Sequence, residues 1–199
     1  TPTNTWSSTG TAAGGEGVTA LSQIYYAANA ASSNSMTLSV TRSGSTTNDT
    51  YMMYDIVGAS SSPFDTDSGG QAANQTTEVS SLTTCKGCLT PTGVSGGNEI
   101  IIGNAGWNWC TANSVTAPSG ALFDAATDTG NGVNGPQSVD QNNGWFHYYT
   151  SATSAITTTW NPMACNQAEG EWAGRVAAFK SAQSGNSLLP PTGLTAVVH

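Results

Sequence analysis

Two carboxylates separated by one glycine, in Glu169-Gly-Glu171, are the residues of this chain most suggestive of acid–base chemistry. On an extended backbone they share a face, and Glu99 comes near them if Cys110 is tied to Cys165. Carboxylates about 5–9 Å apart serve glycoside hydrolysis, one as acid and the other as base or nucleophile. The plainer alternative is a rim hairpin with solvated acids. His147 stands inside the aromatic run Trp145-Phe-His-Tyr-Tyr149, with no serine or cysteine in a recognisable nucleophile setting. That favours a packed or surface histidine over a general base. The chain carries no nucleophile elbow, phosphate loop or HExxH, so the expectation is a non-catalytic protein.

Asp65-Thr-Asp67-Ser-Gly69 offers alternating oxygen ligands followed by a glycine, a fragment of what calcium loops use. Asp124 with Asp128 is a looser pair of the same kind. Calcium is therefore the one cofactor to consider, and ordinary Asx-turns are the alternative. The four cysteines, Cys85, Cys88, Cys110 and Cys165, allow three pairings. Zinc usually wants two closely spaced pairs, and only Cys85-Lys-Gly-Cys88 exists here. A redox CxxC would open a helix, whereas this one lies between Thr-rich segments. Structural disulfides are favoured: Cys110–Cys165 joins the end of a Trp-rich strand to the 161–170 loop, and Cys85–Cys88 is a tight clip. Disulfides point outside the cytoplasm, to a secreted or cell-surface protein.

Trp107, Trp109, Trp145, Tyr148, Tyr149 and Trp160 form an aromatic set. Flat rings stack on sugar faces, and amides such as Asn104, Asn108 and Asn143 suit hydroxyl recognition. Trp107, Trp109, Trp145 and Tyr148 with Asn108 are thus the candidate platform for a polysaccharide or cell-surface glycan. The same rings also serve as ordinary core, since Trp and Tyr are costly to expose without purpose.

What must hold these residues is the stretch from Asn98 to Cys110. Ile100, Ile101 and Ile102 are consecutive β-branched residues, the mark of a strand buried on both faces. Beyond Gly103, alternation sends Trp107 and Trp109 one way and Asn108 the other. Further strands are expected over 18–28, 35–41, 50–57, 76–84, 144–151 and 155–160. Residues 171–182 pass as a short helix, but Trp and Ala at period two favour a closing strand. Residues 58–75 and 111–143 read as irregular, with 121–127 either a strand or a helical turn. Short strands between turns indicate an all-β, two-sheet antiparallel β-sandwich, jelly-roll-like, over 1–184. Residues 185–199 read as a linker and a strand-like tail.

Charged residues make up only 8% of the 199, against about 25% in an ordinary globular protein. With 37% apolar residues the chain has the means to fold. A net charge of −8 with four Lys and Arg argues against nucleic acid, which binds clustered cations. Anionic membrane surfaces are disfavoured on the same ground, and no apolar run nears the roughly 20 residues a spanning helix needs.

Asn4-Thr-Trp6, Gln23-Ile-Tyr-Tyr-Ala27, residues 36–40 and 51–58, Glu99-Ile-Ile-Ile-Gly103 and Glu171-Trp-Ala-Gly-Arg-Val-Ala-Ala-Phe-Lys180 follow one another in a familiar order. That order resembles a lectin-like module of secreted bacterial multidomain proteins, in which "GNTY", "IYYAKN", "EYSG" and "WAAxxAxFK" strands succeed one another. Pro190-Pro-Thr-Gly-Leu-Thr-Ala-Val-Val198 is similar to the opening strand of the fibronectin type III domains beside which such modules occur. The resemblance implies a non-catalytic β-sandwich for adhesion, glycan binding or assembly. In the family pattern hydrophobic strands precede the "GNTY" segment, and here Thr1 begins almost upon it. Either the chain is a fragment, or something else fills the slot. The strand-like tail of one copy completing the sheet of the next would build a filament.

Overall fold

The structure, a computed structural model, describes residues 3–11, 13–15, 18–31, 37, 39–41, 51–68, 71–75, 99–108, 110–116, 122–128, 141–151, 159–165 and 170–182. Everything regular among them is antiparallel strand. In chain order these are β1 (Ser7–Ser8), β2 (Ala13–Gly15), β3 (Val18–Ser22), β4 (Tyr25–Tyr26), β5 (Ala59–Asp67) and β6 (Gln71–Gln75). They continue with β7 (Glu99–Asn108), β8 (Cys110–Thr116), β9 (Leu122–Asp128), β10 (Gln141–Thr150), β11 (Thr159–Cys165) and β12 (Gly170–Ser181). No helix among the described residues is long and apolar enough to cross a membrane.

Six strands form the main sheet, ordered β5-β12-β7-β10-β9, with β6 continuing the β5 edge along β12. Strand β7 lies at its centre, paired along its whole length with β10 on one side and β12 on the other. Its three isoleucines are buried, so both faces of the strand lie inside the protein. On one face Ile100 and Ile102 join Ala177 and Phe179, covered by Ile24, Tyr26, Tyr54, Ile56, Phe64 and Tyr149. On the other, Ile101 lies in register with Tyr148 and Ala178, and Gly103 with Phe146 and Val176; all of these side chains are buried. Three two-stranded ladders, β1–β4, β2–β3 and β8–β11, complete the described structure.

Strand β12 is no closing strand. It runs between β7 and the β5/β6 edge, and every residue from Ala173 to Val176 and on to Phe179 is buried. Its alanines explain the fit: small side chains on both faces let the covering layers approach closely.

Several expected boundaries move. Residues 58–75, expected as loop, supply β5 and β6. Their serines and Pro63 disguise them, yet an edge strand tolerates proline because one side of its backbone has no ladder to donate to. Residues 51–57, expected as an interior strand, join no ladder; they lie over the sheet and turn Tyr54 and Ile56 toward its core. Residues 111–143, expected as irregular, contain β8, β9 and the start of β10, and 122–128 is strand rather than helical turn. Residues 37 and 39–41 are not strand. The expected strand at 76–84 and the tail at 185–199 lie outside the described residues.

Candidate functional site

One buried polar group among the described residues starts at a β-bulge. Between β10 and β9 the register runs Trp145↔Ala125 and then Phe146↔Phe123, which leaves Asp124 as the extra residue. A bulge re-aims the side chain it carries. Here Asp124 Oδ1 lies 2.7 Å from His147 Nδ1, with both side chains buried. Its other oxygen, Oδ2, accepts the Tyr54 hydroxyl from the covering segment 51–57. The Tyr54 ring meets His147 edge-on at 5.9 Å, and Tyr149 also meets it edge-on, at 6.0 Å. Burial first, then the hydrogen bond to Asp124 and its charge, holds the Tyr54 phenol far above the ordinary range. Burial and the same charge raise Tyr149.

An aspartate fixing a histidine through Nδ1 is part of a hydrolytic triad. The missing part is a nucleophile. Among the described residues, His147 has no serine, threonine or cysteine as hydrogen-bond partner. The group ties three segments together: β9, β10 and the strap at 51–57. Asp124 therefore has both oxygens engaged.

Asp65 and Asp67, the other calcium candidates, lie in β5 and not in a loop. Asp65 pairs with Lys180 at 3.5 Å and Asp67 with Arg175, both cations of β12. Arg175 is buried; it also donates to the Thr11 carbonyl, while its Nε has no partner among the described residues. Each acid is thus matched by a basic group of the neighbouring strand. Beside Arg175 in register, Asn104 accepts the Ser22 hydroxyl at 2.8 Å and donates to the Gln23 carbonyl. This amide, expected to read sugar hydroxyls, instead fastens the N-terminal strands to β7.

Glu99 does not come near Glu171. Glu99 is buried opposite Lys180, whereas Glu171 pairs with Asn108 at the far end of the same ten-residue strand. At about 3.3 Å per residue this is roughly 30 Å, several times what glycoside hydrolysis spans. Glu169 lies outside the described residues.

The expected aromatic platform divides. Trp145 and Tyr148 are core residues, buried because β10 is an interior strand with its indole and phenol turned into the two covered faces. Trp107 and Asn108 lie at the end of β7 away from Glu99, with Trp107 in register between Asn142 and Trp172. Trp109 lies outside the described residues, as do Cys85 and Cys88. Cys110 and Cys165 face each other in the β8–β11 register, as partners in a ladder rather than a strand and a loop.

The exposed rings are elsewhere. Trp6 is 41% exposed and Tyr25 59%. In the β1–β4 ladder Ser7 opposes Tyr26 and Ser8 opposes Tyr25. Tyr26 points inward, 5.7 Å from both Phe64 and Phe179. By alternation Tyr25 and Trp6 then share the outward face, close enough across the diagonal for aromatic side chains to act together. Side-chain hydrogen bonds tie the neighbouring segments: Asn4 accepts the Ala31 amide at 3.0 Å, and Asn29, at a positive φ of 52°, donates to the Ser61 carbonyl. Sequence reasoning passed over this pair, though its signals were present. Trp6 is the only large apolar residue in a polar stretch, and a Tyr-Tyr doublet in a strand must turn one ring outward.

No protein-family model matches the chain, and comparisons with curated proteins and with solved structures found no significant match.

Proposed function

We propose that this chain is a secreted, non-catalytic, jelly-roll-like β-sandwich module that binds a neutral glycan on the outward face of the β1–β4 ladder. The observation that carries the reading is the exposure of Trp6 and Tyr25 beside one short ladder. Two large rings left in water are costly unless something covers them. The segments that carry them, residues 3–11 and 22–31, contain no charged side chain; apart from Ile24 and the aromatic rings they offer only hydroxyls, amides and small apolar groups. Such a face complements an uncharged ligand with alternating apolar and hydroxylated surfaces, which describes a pyranose chain. Low overall charge and an even cysteine count support an extracellular setting.

The test is affinity electrophoresis of the intact chain through gels containing neutral polysaccharides (β-glucan, xylan, mannan) or polygalacturonate. Retardation by at least one neutral polymer, abolished in Trp6→Ala and Tyr25→Ala, is expected. Retardation by polygalacturonate alone, or binding indifferent to both substitutions, would overturn the assignment.

A further inference from the structure

The central strand does not end at Asn108. After one residue the chain continues as β8, and on the other side β11 leads, across a short connection, into β12. The β7–β12 ladder stops at Asn108↔Glu171, and the β8–β11 ladder begins at Cys110↔Cys165. The two cysteines therefore stand at the junction of two successive ladders, where the main sheet hands over to a two-stranded one. That junction is weak by construction. The register of β8–β11 shifts twice, between Asn161 and Pro162 and again before Cys165, and proline removes a ladder donor.

We infer that Cys110 and Cys165 form a cross-strand disulfide that clamps this junction. The inference goes beyond the glycan-binding assignment and shares no residue with it. Directly opposed residues of an antiparallel ladder have Cα atoms about 4.5–5.5 Å apart, inside the roughly 4.4–6.8 Å that disulfides span. The oxidant is a small-molecule disulfide such as oxidised glutathione. The Cys110 thiolate attacks one of its sulfurs, the S–S bond breaks, and one glutathione thiolate leaves and takes a proton. The Cys165 thiolate then attacks Cys110 in the mixed disulfide and expels the second glutathione. Two protein thiols are oxidised as one disulfide is reduced to two thiols. The closed loop contains β9 and β10, so the bond restricts the unfolded chain as well as fixing the register of β11.

Peptide mapping decides the matter. The full chain, and a Cys85→Ser/Cys88→Ser variant of it, are equilibrated in a glutathione redox buffer, alkylated, digested without reductant and analysed by mass spectrometry. Both should yield a linked peptide pair containing Cys110 and Cys165. Reduction of the variant should lower its melting temperature by roughly 10 °C. A link from Cys110 to Cys85 or Cys88, or alkylation of both Cys110 and Cys165 after oxidation, overturns the inference. So does an unchanged melting temperature in a variant shown to carry the bond. Should the variant not fold, the wild-type map alone gives the answer.

Discussion

The ring of Phe146 lies across the bare backbone of Gly103, its register partner on the central strand. A methyl group added at Gly103 would fall inside that ring, so the glycine is required by close approach rather than by backbone conformation. Glycine weakens a strand interior, and the buried aromatic opposite it covers the exposed peptide. Gly103→Ala is expected to destabilise by about 1–3 kcal/mol through overpacking. Phe146→Leu makes room for the methyl, so the double variant should be more stable than the sum of the single losses predicts. Urea denaturation of the four-member cycle measures this coupling; strict additivity would contradict the geometry.

Arg175 and Asp67 make the second prediction. The guanidinium is buried between Asp67 of β5 and the Thr11 carbonyl. Removing the carboxylate leaves a charge inside the protein without its counterion. Asp67→Ala should cost about 3–5 kcal/mol, whereas replacing both members with apolar residues, as in Asp67→Ala/Arg175→Met, should cost much less. Denaturant midpoints decide it: a double variant less stable than Asp67→Ala would show that the arginine stabilises the fold without its partner.

These relationships mark where the sequence could be read and where it could not. The Ile100-Ile-Ile102 run and the aromatic run 145–149 announced buried strands because apolar side chains on both faces leave no other solution. Residues 171–182 were legible as strand through the alternation of Trp172 with small residues. The failures share a cause. Strand β5, with three serines and Pro63, carries no hydrophobic period, and only its edge position makes it a strand. Segment 51–57 is apolar at six of its seven positions yet joins no ladder, because Tyr54 and Ile56 pack onto the core of the sheet. The aromatic residues divide for a related reason. Rings clustered in sequence, Trp145 and Tyr148, are clustered because they build the core, while Trp6 and Tyr25, both exposed, stand apart in sequence and are brought to neighbouring segments by the β1–β4 pairing.

Alkaline pH should find the Tyr54–Asp124–His147 group. The folded state raises the Tyr54 phenol above its ordinary value of 10.0, and Tyr149 in the same direction. In the unfolded chain both ionise near pH 10. The folded protein thus holds these protons more tightly, so their contribution is fully present below about pH 10 and falls as pH climbs beyond it. Stability between pH 7 and 9 should not change on their account. Absorbance near 295 nm, taken as wild type minus Tyr54→Phe, should show the Tyr54 phenolate arising only with the unfolding transition. Ionisation of Tyr54 in the still-folded protein would show the ring to be open to solvent. At neutral pH Tyr54→Phe deprives Asp124 of a donor and should cost about 1–3 kcal/mol.

The β1–β4 face yields the last prediction, which separates binding from folding. Trp6 and Tyr25 project outward from a ladder whose inward residue, Tyr26, does the packing. Trp6→Ala and Tyr25→Ala should therefore leave stability within about 1 kcal/mol of wild type, whereas Tyr26→Ala should cost about 3–5 kcal/mol as an aromatic truncation against Phe64 and Phe179. Because the surrounding strands carry no charge, capture of a neutral glycan should be nearly the same at low ionic strength and at 1 M salt, where electrostatic attraction is screened within about 3 Å. Binding that fades steeply with salt would mean that the ligand is held by the protein's few cations or its excess acids, and would move the site away from these two rings.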